Sequence, residues 1–68
     1  MTPLGDMRKF GLSTKGMQAL LRSGISCVED ITKLRRVEVG KIRGIGEKAL
    51  GEIDEAMKDM GFKYREEL

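Results

Sequence analysis

The sequence predicts an all-α fold, a compact bundle of four short helices without a sheet. Apolar residues recur at helical spacing in several stretches of the 68-residue chain, and no stretch alternates apolar and polar residues with the period of two typical of strands. The nine glycines, about double the usual frequency, stand mostly where one helix gives way to the next. This length allows one domain and little room for a deep active-site cleft.

The first helix is expected over about residues 14 to 23. Ser13 can cap its start, and Gly24 can end it in a left-handed conformation. Its apolar face would carry Met17, Leu20 and Leu21. Before it, we expect a flexible N-terminus over residues 1–6 and an ordered, extended lead-in that packs Met7, Phe10 and Leu12.

Two shorter helices follow. Ser26 and Glu29 have the spacing of a capping box, which predicts a helix over about residues 27 to 33 that buries Val28 and Ile31. A further one or two helical turns are expected between Leu34 and Gly44. That segment offers Val37 and either Val39 or Ile42 to the core.

The last helix is expected over about residues 46 to 60, with Gly61 as its end. Its apolar stripe at helical spacing comprises Ala49, Leu50, Ile53, Ala56, Met57 and Met60. Phe62 and Tyr64 would add to the core. We therefore predict a folded domain over residues 7–64 and a polar tail over residues 65–68.

Composition excludes several classes of function. A single cysteine, Cys27, allows no internal disulfide and is expected in the core rather than in a redox site. The absence of histidine removes the usual zinc ligands and the commonest general base, so we expect neither an enzyme nor a metal or cofactor. No apolar run approaches the roughly 20 residues of a membrane span. A soluble, intracellular protein is expected.

Positive charge is concentrated in two segments. Residues 1 to 22 carry four cations against one carboxylate, and residues 33 to 48 carry six cations against two carboxylates. The last helix carries the acidic residues Glu52, Asp54, Glu55 and Asp59, which are more typical of a solvated face than of a docking surface. Folding decides whether the cations meet on one side.

The stretch IRGIGEKAL, residues 42 to 50, places two glycines at the start of the last helix, in the layout of a helix-hairpin-helix. Gly44 and Gly46 can take positive φ and leave their N–H groups uncovered beside the positive end of a helix dipole, where a DNA phosphate would fit. Lys48 and Arg43 flank this position, and Ile45 would anchor the turn in the core. The other interpretation is a turn that only connects two helices, and the residues of the stretch leave both open.

Two longer segments, FGLSTKGMQALLRSGISCVEDI and VGKIRGIGEKALGEIDEAMKDMGF, follow the patterns L-x-L-S-x-R-x-x-N-C-L-x-x-x-x-I and L-x-K-x-x-N-L-G-x-K-S-L-x-E-I. Through them, residues 7 to 65 resemble the C-terminal domain of the bacterial RNA polymerase α subunit. The resemblance implies a helical fold ending in a nonstandard helix-hairpin-helix. It also implies binding to the DNA minor groove upstream of promoters and contact with activators and the sigma factor.

The resemblance also implies a DNA-binding surface at the start of the first and last helices. Lys15 stands where the family has arginine, Gln18 where it has asparagine, Ala19 where it has cysteine and Ala49 where it has serine, whereas Gly46, Lys48 and Glu52 match. Lysine lacks the planar fork with which arginine suits a narrow minor groove. We therefore expect weak, salt-sensitive binding to duplex DNA with reduced A·T selectivity.

A second departure precedes the first helix. Arg8, Lys9 and Gly11 stand where the family carries acidic residues, some of which face the sigma factor, so a different protein contact is expected there. We expect a stand-alone divergent relative in the bacterial cytosol or nucleoid, encoded by a phage or mobile element or acting as a small regulator. Its function would be non-enzymatic DNA binding in transcription. The alternative is a protein-interaction module that docks on RNA polymerase or a transcription factor and has little DNA affinity.

Overall fold

The computed structural model describes residues 1–66, which fold into five helices in the order α1 Gly5–Arg8, α2 Thr14–Arg22, α3 Val28–Thr32, α4 Arg36–Gly40 and α5 Glu47–Met60. Within this range the only extended pairing is an isolated antiparallel bridge between Pro3 and Cys27, and there is no sheet. The predicted all-α class is confirmed, with one helix more than expected. The core draws a fully buried side chain from every helix, namely Met7, Leu20, Ile31, Val39 and Ile53.

The additional helix, α1, replaces the predicted extended lead-in. A single turn places Leu4 and Met7 on one side, so that both are buried. Gly11, with φ of 104°, then redirects the backbone and buries Leu12, while Phe10 stays 42% exposed. The prediction that Phe10 joins the core was therefore wrong. The flexibility expected of residues 1–6 stays a prediction.

Helix α2 begins and ends as predicted. The Ser13 hydroxyl accepts a hydrogen bond from the Gly16 N–H at 3.1 Å, and Gly24 has φ of 97° beyond the last turn. The apolar face is narrower than expected, because Leu21 is 49% exposed. Burial follows Gly16, Ala19 and Leu20, at i, i+3 and i+4, and Leu21 lies about 100° further round the helix.

The predicted capping box of α3 does not form. Cys27 is the N-cap, and both the N–H and the hydroxyl of Ser26 donate to the Asp30 carboxylate, at 3.0 and 3.1 Å. Glu29 instead accepts from the main-chain N–H and the hydroxyl of Thr2, both at 2.7 Å. These two hydrogen bonds lower the pKa of the Glu29 carboxyl to about 2. The Glu29 carboxylate therefore binds Thr2, which is distant in sequence, and does not cap the start of α3.

Helix α4 buries Val39, whereas Val37, which was expected in the core, is 45% exposed. The Glu38 carboxylate accepts from the Arg35 N–H at 2.8 Å and sets the first turn of α4. With that start, Val39 faces the core and Val37 faces solvent.

Helix α5 ends as predicted at Gly61, which has φ of 83°. After it, Phe62 and Tyr64 pack partly buried against the core, and the Tyr64 hydroxyl donates to Asp54 at 2.6 Å. Burial, together with this hydrogen bond, raises the pKa of Tyr64. Of the predicted polar tail, residues 67 and 68 lie outside the described residues.

Candidate nucleic-acid interface

The first turns of α2 and α5 meet at a cleft of about 390 Å³ on the surface. The cleft is lined by Ser13, Lys15, Gly16, Gly44, Gly46, Lys48, Ala49 and Glu52. These residues come from segments about 30 positions apart in sequence, so the fold brings together two halves of the predicted site.

Gly44 is a position that requires glycine for two reasons. Its φ of 94° is strained for residues with a side chain, and a Cβ built on it would lie 3.1 Å from the Ala19 Cβ. The turn is held by the Ile45 side chain, which is 6% exposed, and by a 3.0 Å hydrogen bond from its N–H to the Ile42 carbonyl. The predicted role of Ile45 as a core anchor is confirmed.

Gly46 differs from Gly44. Its φ of −96° and ψ of −172° are extended, so the positive φ expected at this position was wrong. A Cβ at Gly46 would meet no atom within 4 Å. Glycine is therefore not required here by backbone conformation or internal packing, and its effect is to leave the main chain uncovered on the side of the cleft.

The backbone of this turn offers open hydrogen-bond donors. Among residues 1–66, the N–H groups of Gly44 and Gly46 have no acceptor, and the start of α5 has no cap from a side-chain group. The first-turn N–H groups of a helix also lack intrahelical acceptors and carry partial positive charge. This end of α5 can therefore receive an anion through its main chain.

Two lysines add charge to the cleft. Lys15 in the first turn of α2 and Lys48 in the first turn of α5 are exposed and form no ion pair with a described carboxylate. Glu47 reduces the positive potential at the start of α5. The lysines and the open N–H groups make the cleft suited to a phosphate group.

Glu52 lies in the same cleft but is already engaged. One carboxylate oxygen, Oε1, accepts from the Ser13 N–H at 3.2 Å, which ties the middle of α5 to the start of α2. Its negative charge opposes an anion nearby. Glu52 therefore positions the two halves of the cleft, and its predicted direct contact with DNA stays a prediction.

A second groove, of about 450 Å³, adjoins the first at Gly44. It is lined by Ala19, Arg22, Ser23, Ile42, Arg43 and Gly44. Of the predicted site residues, Ala19 and Arg43 thus lie here rather than in the main cleft. Gln18 is exposed on α2 and lines neither groove.

Sequence reasoning missed Arg22. The available signal was its spacing, because it follows Lys15 by seven residues, or nearly two helical turns, and must lie on the same side of α2.

The predicted protein-contact residues form a separate surface around the end of α1. Arg8, Lys9 and Gly11 are exposed and flank the half-exposed ring of Phe10. The Lys9 Nζ lies 3.9 Å from Asp6 Oδ1, a surface pair that adds little to stability. This surface takes no part in either groove.

Two further classes of site have no candidate in the described part of the molecule. No group of three or more potential ligands could hold a metal ion among residues 1–66. Within the same range, no helix has the length and apolarity needed to cross a membrane.

A family model for the C-terminal domain of the bacterial RNA polymerase alpha subunit matches residues 6–59. Among curated proteins, the DNA-directed RNA polymerase subunit alpha of Thermus thermophilus is 37% identical over 88% of this chain and 19% of that subunit. The corresponding subunit of Leuconostoc mesenteroides is 34% identical over 96% of this chain and 20% of its own length. That of Desulfitobacterium hafniense is 33% identical over 79% of this chain and 17% of its own length. The protein spans about a fifth of the length of these relatives. No solved structure gives a significant match.

Proposed function

Because this protein belongs to the family of the C-terminal domain of the bacterial RNA polymerase alpha subunit, a non-catalytic family that binds DNA and transcription factors, we propose that it binds duplex DNA and acts in transcription. The protein binds DNA through the cleft between the starts of α2 and α5 and catalyses no reaction on it. It involves the minor groove and the adjacent phosphates.

The observation that carries this proposal is the set of open main-chain donors at Gly44 and Gly46, flanked by Lys15 and Lys48. Neutral N–H groups fix the position of a phosphate, and the lysines supply the charge that displaces counterions from DNA. Gly46 allows the phosphate to approach closely because it has no side chain over its N–H.

Affinity is expected to be modest. Ala49 lines the cleft but offers no hydroxyl, and Lys15 offers a point charge in place of the planar guanidinium that suits a narrow minor groove. Gln18, exposed on α2, loses more side-chain entropy than a shorter amide when it is held against DNA. The binding therefore depends on phosphate contacts more than on base sequence.

A titration of labelled protein with duplex DNA, followed by amide chemical shifts, tests the proposal. We expect shifts at Gly44, Gly46 and Glu47 and around Lys15. Two to four phosphate contacts give a slope of log affinity against log salt of about −2 to −4. The absence of salt-sensitive binding at low ionic strength would contradict the proposal.

Two variants test whether DNA binds at the cleft between the starts of α2 and α5. Lys48→Ala is expected to weaken binding to all sequences and to make the salt slope shallower by about 0.9, the value of one phosphate contact. Lys15→Arg is expected to strengthen binding, most on A·T tracts with a narrow minor groove. Lys63→Ala is the matched control, because Lys63 follows the far end of α5, a helix about 20 Å long, and lines neither groove. Equal losses in Lys48→Ala and Lys63→Ala would show a general effect of net charge.

A second candidate function is favoured by the exposed ring of Phe10. An aromatic group that is 42% exposed and flanked by Arg8 and Lys9 is suited to a protein partner with an acidic rim. On this alternative, the domain docks on RNA polymerase or a transcription factor. The same titration separates the two, because amide shifts confined to the end of α1, or shifts seen only with a polymerase subunit, favour protein interaction.

A further inference from the structure

The second groove beside Gly44 adds a pair of arginines to the DNA-binding surface. We infer that Arg22 and Arg43 together hold a second phosphate of the duplex in this groove. The inference rests on the proposed function and extends the contact from one end of α2 to the other.

The groove brings the two arginines together from separate elements. Arg22 is in the last turn of α2, and Arg43 is in the turn between α4 and α5. Ala19 and Ile42 form the apolar part of the lining, and Gly44 is shared with the main cleft. Two planar guanidinium groups on one groove are suited to the several oxygens of a phosphate.

The charges of this groove are available for a ligand. Among residues 1–66, neither Arg22 nor Arg43 forms an ion pair with a carboxylate. Two other arginines do form ion pairs, Arg35 with Glu38 and Arg36 with Asp54. Ser23 contributes no donor, because its hydroxyl donates to the Leu20 carbonyl at 2.7 Å. The phosphate contact therefore falls to the arginines.

Positive charge extends along one side of α2 from the main cleft to the second groove. Lys15 and Arg22 are seven residues apart, which places them on one side of the helix and separates them by about 10 Å along its axis. Gln18, three residues after Lys15, lies between them on the same side. Gly44 approaches α2 at Ala19, so the open backbone of the turn lies near the middle of this line.

The test measures DNA affinity as a function of salt for Arg22→Gln, Arg43→Gln and the double variant. A fluorescently labelled duplex is titrated with each protein between roughly 50 and 200 mM salt. Arg22→Lys keeps the charge and separates its loss from any loosening at the end of α2. Lys63→Gln is the control for net charge, and circular dichroism verifies that each variant is folded.

If the arginines share one phosphate, the double variant makes the salt slope shallower by about 0.9 and weakens binding roughly ten-fold at 50 mM salt. The single variants fall between wild type and the double variant, and their effects are not additive, because both act on the same group. Arg22→Lys keeps the slope.

Two outcomes overturn the inference in different ways. A double variant whose loss in log affinity is no more than twice that of Lys63→Gln, while Lys48→Ala is weakened, removes the second groove from the interface and leaves the proposed function intact. A wild-type protein without salt-sensitive DNA binding at low ionic strength removes both.

Discussion

Alanine substitutions at the two turn glycines are expected to have different effects: Gly44→Ala should lower stability, and Gly46→Ala should weaken DNA binding. Gly44→Ala places a Cβ at φ of 94° and 3.1 Å from the Ala19 Cβ. The backbone strain costs about 1 to 3 kcal/mol, and the crowding adds to it, so we expect a loss of about 2 to 4 kcal/mol. A domain of this length has a total stability of roughly 3 to 10 kcal/mol. Gly44→Ala should therefore lower Tm by roughly 10 to 30 °C.

Gly46→Ala is expected to fold normally. The extended backbone accepts alanine, and its Cβ would meet no atom within 4 Å. Alanine is a poorer N-cap than glycine by about 0.5 to 1 kcal/mol, but it lowers the entropy of the unfolded state by a similar amount in free energy. The two effects nearly cancel, and Tm should change by no more than a few degrees.

The same Gly46→Ala variant is expected to bind DNA less well. The added methyl group stands beside N–H groups that are otherwise open, and the loss of one such hydrogen bond to a phosphate corresponds to about 1 to 2 kcal/mol, or roughly 5- to 30-fold in affinity. The salt slope should not change, because an amide carries no net charge and displaces no counterion. This distinguishes Gly46→Ala from Lys48→Ala.

The measurements are thermal unfolding by circular dichroism and DNA affinity across a salt series. If Gly46→Ala lost as much Tm as Gly44→Ala, Gly46 would have a structural role that its geometry does not show. If Gly46→Ala bound DNA as tightly as wild type, the Gly46 main chain would not be part of the contact.

Two other predictions concern the carboxylates that join distant segments. Glu52→Ala removes the acceptor of the Ser13 N–H and should lower stability by about 1 kcal/mol. Glu52→Gln keeps an oxygen acceptor and should preserve Tm. Thermal unfolding that gives both variants the same Tm would contradict this prediction. The Glu29 carboxyl, with its pKa lowered from 4.5 to about 2, contributes stability that is present above pH 4.5 and is lost as the pH falls through 2. Thr2→Ala should raise its titration midpoint, measured by carbon chemical shifts of the carboxyl group, and a midpoint that stays at 2 would show that the hydroxyl has no effect.

Much of the helical framework was predictable because it depends on local chemistry. Ser13 caps α2, Gly24 and Gly61 take left-handed conformations at helix ends, and the stripe of α5 is buried at Ile53 and Met57. Each of these features depends on residues within one or two turns of each other, which the sequence displays directly.

The errors share a physical cause. The sequence pattern predicts a local capping box for Glu29, yet its carboxylate accepts from Thr2, 27 residues away. Hydrophobicity predicts Phe10 and Val37 in the core, but the turn at Gly11 and the start of α4 direct them to solvent. A local sequence pattern identifies nearby hydrogen-bond and packing partners. It does not show which residues distant in sequence form those contacts instead.

The helical class, the glycine turn and the types of residue that a phosphate site requires could all be read from residues close together in the chain. The packing of the helices was needed to show that Lys15 and Lys48 share one cleft and that Gly46 is extended with an open N–H. It also showed that Arg22 and Arg43 line the same neighbouring groove. The reason is that helix formation depends on near neighbours in sequence, whereas the joining of charges from different helices depends on how their buried faces pack.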